Sequence, residues 1–249
     1  MTELAIRDRL VEHGTILLDA PIQPTRFTGI DAADVLLNDL KRYPHAFVLA
    51  CTMARQIQAE RAWAIPHLIA EKIGGFSIKR LATLSRGQVN KLMSKPENLH
   101  RFPEMMAGIF HSAIQRVAQQ YAGDAGRIWK DKPSSAEAVY RFLEFDGVGP
   151  KIATMAVNLL ARNFKVQFAD YYSVDISADS HVRRVFGRLG LCAQDAEIGQ
   201  IIYKARALFP KFPGIMDLPS WEIGRQWCGT RTRKCHECYM NDLCPSAGR

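Results

Sequence analysis

Apolar residues recur every three to four positions along almost the whole chain, and no stretch alternates as a half-buried strand would. The pattern predicts a helix over residues 2–13, stopped by Gly14. A second follows over 31–42, with Ala33, Val35, Leu36, Leu37 and Leu40 near one face, ending before Pro44. Residues 45–55 are more uniformly apolar, which puts that helix at the centre of a core. Helices over 58–72 (closed by Gly74-Gly75), 78–84, 86–93 and 103–121 come next, the last amphipathic and ended by Gly123. Ser134-x-x-Glu137 is a capping-box pattern and opens a helix running to about Phe145. Further helices are expected over 150–163, 179–189 and 194–208, the last stopped by Pro210, with one more before a cysteine-rich tail. Loops are expected at 18–29, 123–135 and 165–178. No repeat at a solenoid period is present. The fold class is therefore all-α, with more helical segments than a simple bundle uses.

Composition narrows the partners. The 249 residues suffice for one large domain or two that share a cleft, and 47% hydrophobic with 23% charged residues describes a chain with a real core. The formal charge of +8 favours a polyanion, nucleic acid before acidic membrane. No apolar run reaches the ~20 residues that span a bilayer. Met1-Thr2-Glu3-Leu4 begins neither a signal nor a transit peptide, so a reducing compartment is expected: the cytoplasm, near the nucleoid, if the source is bacterial. Six cysteines there point to metal binding or to chance, not to disulfides.

Four of the six lie in the tail: Cys228, Cys235, Cys238 and Cys244, spaced C-x6-C-x2-C-x5-C. Four thiolates so close can surround one compact centre, and both tetrahedral zinc and a cubane iron–sulfur cluster suit them. Zinc ribbons usually pair two C-x2-C knuckles, and here there is one. Cys51 and Cys192 stand alone and read as packing residues. The tail spacing resembles the [4Fe–4S] loop of the endonuclease III family of DNA glycosylases, and that resemblance favours iron–sulfur over zinc. In the family this loop presents basic side chains to phosphates, which here would be Arg231, Arg233 and Lys234.

Two further segments carry the same resemblance. Asp146-Gly147-Val148-Gly149-Pro150-Lys151 lies between two predicted helices. Its glycines allow a tight turn, Pro150 suits a first helical position, and the amides exposed at a helix N-terminus can hold a phosphate. The segment is similar to the family's helix-hairpin-helix motif, which implies that Gly147, Val148 and Gly149 contact DNA and that Lys151 is the catalytic lysine. In the bifunctional members that lysine attacks the sugar C1′, displaces the damaged base, forms a Schiff base and cuts the strand by β-elimination, chemistry that needs the unprotonated amine. Downstream, Asp179-Ser180-His181 leads into Arg183-Arg184-Val185-Phe186-Gly187-Arg188-Leu189-Gly190-Leu191. Asp179 is a natural N-cap. The stretch also resembles the family's V-D-[ST]-H-x-x-R-V-x-x-R-L-G-L run, and on that likeness Asp179 is the catalytic aspartate and His181 a contact to the opened duplex. Asp175 lacks the following Ser/Thr-His pair and is set aside.

The resemblance spans residues 31–244. It implies two helical lobes with a cleft between them: a six-helix barrel over 31–150 ending in the hairpin turn, and a cluster lobe from 1–30 and 151–249. It further implies a [4Fe–4S] cofactor, damaged or abasic duplex DNA as partner, a monomer, and a base-excision glycosylase with AP lyase activity, oxidised pyrimidines being the expected lesions. The chain departs from the family in two places. An alanine-glutamine-alanine-threonine-aspartate stretch that lines the lesion pocket is replaced by Thr52-Met53-Ala54-Arg55-Gln56. On that alignment Met53 and Gln56 face DNA, and an apolar Met53 can wedge a stack but cannot hydrogen-bond an orphan base. The segment between Lys151 and Asp179 is long and carries Phe168, Tyr171 and Tyr172, for which packing is the expected role. A second wedging loop is expected near Leu99-His100-Arg101-Phe102. The alternatives are a non-catalytic or monofunctional iron–sulfur relative with altered lesion specificity, and a zinc-stabilised nucleic-acid adaptor.

Overall fold

A computed structural model describes residues 2–248, and among them it is all-α, with twelve α-helices and no strand. The chain divides into two compact units. One comprises Met1–Pro21, Ser134–Val139 and Val157–Arg249; the other comprises Ile22–Pro133 and Tyr140–Ala156.

The second unit holds α2 (Asp31–Asn38), α3 (Pro44–Met53), α4 (Ala59–Ile73), α5 (Ile78–Ala82), α6 (Arg86–Ser94) and α7 (Pro103–Gln120). Every residue of α3 is buried, as its lack of a polar face requires, and α2, α4 and α7 pack around it. Aromatic rings finish this core: Phe27 stacks on Trp63 at 4.6 Å, and Phe47 meets Trp63 and Trp129. The lone Cys51 is fully buried in α3, and burial raises its thiol well above the ordinary value. Asp34 is buried but satisfied, its Oδ1 accepting from Phe27 N, Thr28 N and Thr28 Oγ1. The helix expected over 31–42 ends at Asn38. Asp39 and the residues after it form a turn, with Tyr43 N donating to Asp39 O, and Pro44 opens the next helix. A short 3-10 turn, Ala125–Ile128, interrupts the loop expected at 123–135.

α8 (Ser135–Leu143) and α9 (Pro150–Arg162) contribute residues to both units. The first unit also holds α1 (Glu3–Asp19), α10 (Ser180–Arg188), α11 (Ile198–Leu208) and α12 (Asp217–Gln226). Helix α1 does not stop at Gly14 as the sequence suggests but runs five residues further, to Asp19. Gly14 serves close packing instead: a Cβ there would lie 2.1 Å from Ile215 O. Helix α11 starts later than expected, where Glu197 and Gln200 form a reciprocal capping box.

The segment between α9 and α10 is anchored along its length. Ser135 Oγ donates to Asp170 Oδ1 and accepts from Ser173 N. Phe168 is buried, Tyr171 stacks on Phe212 at 4.8 Å, and Gly214 N donates to Val174 O. Asp175 is taken up by a bidentate pair with Arg206, both contacts 2.7 Å. Tyr172 stays exposed.

An alanine in the middle of a helix normally outperforms glycine, so the Gly14 contact inverts a general rule. Gly14→Ala is expected to lower stability by about 1–3 kcal/mol through overpacking, read as a fall in Tm of several degrees. A raised or unchanged Tm would show that α1 shifts freely away from Ile215.

Candidate nucleic-acid and cluster sites

The hairpin turn is built by the second unit. Gly147 sits at φ +76°, a left-handed conformation that other residues adopt at a cost. A Cβ there would also lie 2.8 Å from Ile109 Cδ1 and 3.1 Å from Arg55 Nη1. Gly149 has ordinary negative φ and nothing within 4 Å of a Cβ built on it. Its backbone is therefore open where the first glycine is enclosed. Val148 is buried and its amide donates to Phe145 O, while Gly149 O accepts from Ile152 N and Ala153 N to start α9. Pro150 occupies the first position of α9 and Lys151 the second, exposed. Asp146 is held by Ser112 Oγ at 2.6 Å. Arg55 Nη1 reaches Gly147 O at 3.4 Å, a partner 92 residues away that sequence spacing gave no means of finding.

The stretch 52–56 lies at the end of α3. Met53 is fully buried, so as placed it offers no surface to a DNA base. Gln56 is exposed and carries φ +53°, uncommon for a residue other than glycine. His100, from the expected second wedging loop, is buried: its Nδ1 accepts from Phe102 N at 3.1 Å and its Nε2 has no hydrogen-bond partner. Burial lowers its pKa, against the pull of the Arg55 and Met53 carbonyls. Arg101 beside it is exposed, its guanidinium 5.2 Å from the Phe102 ring centre.

Asp179 lies in the first unit as the N-cap of α10. Its Oδ1 accepts from His181 N at 2.8 Å and Val182 N at 2.9 Å, and neither bond uses Oδ2. His181 is half-buried, its Nδ1 accepting from Arg184 Nη2 at 3.0 Å and its ring meeting Trp221 edge-on. A Cβ on Gly224 would lie 2.7 Å from His181 Cβ, so α10 and α12 touch closely at this histidine. Just before Asp179, Ser177 N and Oγ donate to Asp217 at 2.6 and 3.3 Å. The Asp217 carboxyl is pushed up to about 6. Burial is the main cause and the Asp179 charge adds to it, against the Ser177 amide and hydroxyl and the Arg162 guanidinium. Sequence reasoning missed Asp217, because nothing around it resembles a motif.

The four tail cysteines line one recess, whose walls include Val185, Leu189, Ile223, Trp227 and Met240. Among the described residues no three of His, Cys, Asp or Glu are gathered tightly enough around one point to hold a single ion. The thiols still sense one another. Burial raises those of Cys238 and Cys244, and the charges of their neighbours in the set raise them further. Four soft thiolates around an apolar recess fit an inorganic cluster, whose positive irons would relieve that crowding. The loop is shaped by a bridge between Cys228 and Arg233, a tight turn at Gly229, and Lys234 N donating to Trp227 O. Arg231, Arg233 and Lys234 are all exposed. Arg184 and Arg188 tie α10 to this loop. Arg184 Nε donates to Cys228 O at 2.6 Å, and Arg188 Nη1 donates to Gly229 O at 2.7 Å and to Cys228 Sγ at 3.1 Å.

Solved structures with this arrangement of helices include a non-covalent endonuclease III–DNA complex: TM-score 0.65, 19% identity, 99% of this chain and 96% of that one covered. The fold is that of endonuclease III. A thermostable thymine-DNA glycosylase also matches, with TM-score 0.63 and 15% identity over 96% of this chain and 95% of its own. The Clostridium acetobutylicum 8-oxoguanine glycosylase/lyase, bound to double-stranded DNA with cytosine opposite 8-oxoguanine, matches at 0.58 and 16% identity, covering 89% and 68%. No family model and no curated protein matches the sequence. The endonuclease III fold is thus shared at identities too low for the fold to carry more than itself. Among the described residues no helix is long and apolar enough to cross a membrane.

Between its ordinary value of 3.8 and about 6, Asp217 holds a proton in the folded protein that the unfolded chain has released. Its contribution to stability therefore falls as pH rises through that window. Asp217→Asn, which can keep both Ser177 bonds, is expected to flatten the pH dependence of Tm between pH 4 and 6. At pH 8 it should add stability on the order of 2 kcal/mol. Parallel Tm–pH curves for variant and wild type would contradict this.

Proposed function

We propose that the protein is a base-excision DNA glycosylase with AP lyase activity, acting on damaged or abasic duplex DNA through Lys151 and Asp179. What carries the reading is the hairpin turn. In an endonuclease III fold, Gly147 takes the left-handed turn, Gly149 leaves its backbone open, and Lys151 is exposed on the first turn of α9. Solved neighbours described as a DNA glycosylase and as a glycosylase/lyase on damaged DNA support the same assignment.

In this reading the open turn backbone at Gly149 and Lys151 and the basic residues Arg231, Arg233 and Lys234 hold backbone phosphates. The damaged nucleotide leaves the stack at a cost of a few kcal/mol, least for a damaged base. The unprotonated Lys151 Nζ attacks C1′ and forms an N–C1′ bond as the glycosidic bond breaks, and the departing base takes up a proton. Asp179 offsets the positive charge that develops on the sugar. Ring opening gives a Schiff base on Lys151. Loss of a C2′ proton then expels the 3′-phosphate, and water releases the lysine. Cys228, Cys235, Cys238 and Cys244 would hold a [4Fe–4S] cluster, which when bound supplies four metal–sulfur links that clamp the basic loop. The burial of Met53 and the exposure of Gln56, with Arg55 half-buried beside it, favour a lesion preference unlike that expected from a glutamine at the first of these positions.

Borohydride should trap the wild-type protein on a duplex carrying an abasic site or an oxidised pyrimidine, and Lys151→Ala should abolish trapping. Undiminished trapping by that variant rejects Lys151 as the nucleophile. A panel of lesions with product analysis separates a lyase from a protein that releases free base only, or that binds without turnover. Asp179→Asn keeps a good N-cap, so its stability should stay within about 0.5 kcal/mol of wild type while excision falls at least ~100-fold. Full activity in Asp179→Asn would leave Asp179 a cap and nothing more.

A further inference from the structure

One sulfur of the recess takes a charged side-chain donor, where Cys238 and Cys244 take backbone amides. Arg188 is the last residue of α10, and its guanidinium is spread over the start of the cysteine loop. Nη1 donates to Cys228 Sγ at 3.1 Å, to Gly229 O at 2.7 Å and, more weakly, to Cys228 O at 3.4 Å. The backbone of the same residue faces a second ligand, Cys244 Sγ lying 3.6 Å from Arg188 O. The Arg188 side chain lines the recess together with all four cysteines.

Two other features fix the guanidinium. The Gly229 turn is too tight for a side chain, since a Cβ there would lie 2.5 Å from Thr232 O, so its carbonyl is held in place. Arg184, one turn earlier on α10, binds Cys228 O with Nε and Gly224 O with Nη2 at 2.7 Å. The backbone of Cys228 is therefore positioned by one arginine while its sulfur accepts from the next. A guanidinium is always charged and presents its donors in a rigid fork, which suits simultaneous binding of a carbonyl and a thiolate.

We propose that Arg188 is a positioning residue for the cluster: by a charged N–H···S bond to Cys228 it withdraws electron density from that ligand and favours the cluster's more electron-rich state. The inference rests on the cluster reading above and deepens it. A hydrogen bond to a ligating sulfur, and a positive charge beside it, both stabilise the state carrying more negative charge, which raises the reduction potential. An arginine that only capped the carbonyls of Cys228 and Gly229 would act through its charge alone, and Arg188→Lys would then keep the wild-type potential.

The test uses the full chain purified without oxygen. Iron and sulfide analysis of the wild type comes first, and its failure to find either removes the cluster reading itself, with this inference. In a loaded protein, the terminal iron–cysteine stretching bands in resonance Raman should shift on exchange into D₂O, and more in the wild type than in Arg188→Met, whose remaining shift comes from the amides on Cys238 and Cys244. Mediated redox titration should give a lower midpoint potential in Arg188→Met, with Arg188→Lys, which keeps the charge, lying between it and wild type. Iron content of each variant identifies any that fails to load, and the comparison is then made with the variant that loads. A loaded wild type whose bands ignore D₂O, or loaded variants that titrate at the wild-type potential, overturns the role given to Arg188 and leaves the cluster standing.

Discussion

Helix α10 is held at both ends by interactions that do more than finish a helix. At its start Asp179 Oδ1 accepts two backbone amides. At its end Arg188 grips the carbonyl of Gly229 and the sulfur of Cys228. The helix between them is nine residues long, about 13 Å at the usual rise, and packs against α12 where Gly224 lets the backbones approach His181. The candidate carboxylate and the cysteine recess are therefore set by the same short rod. Displacing either end disturbs the other, since so few turns between them leave little room to absorb a shift.

The surroundings of Asp179 show how a carboxylate is kept in place without being consumed by its cap. Asp175, four residues earlier, is bound on both oxygens by Arg206. Asp217 is bound by Ser177. Asp179 commits Oδ1 alone to the helix. Of three neighbouring carboxylates, two fix the approach of the chain to α10, and the third retains an oxygen that the cap does not use.

Much of this was legible in the sequence, for local reasons. Cysteine spacing, the glycine turn and the Asp-Ser-His helix start are signals within a dozen residues, and local chemistry places each of them on the expected element. Helix existence was equally legible from periodicity. What escaped depends on partners far along the chain. Gly14 reads as a helix stop until Ile215 is seen against it. Met53 reads as a wedge until α3 proves to be buried on every side. The reach of Arg55 to Gly147 and the Ser177–Asp217 pair leave no periodic trace at all. A motif states which residue types stand together; it does not state which side of the backbone they leave open.

The two glycines of the hairpin turn answer to different demands. Gly147 is required by the fold, since its conformation and its neighbours both refuse a side chain. Nothing inside the described protein asks the same of Gly149. A methyl group there would stand in solvent, at no cost to the folded chain. In the proposed reading that vacant space is where a phosphate backbone would come nearest the chain, and a methyl group would be felt only in the complex.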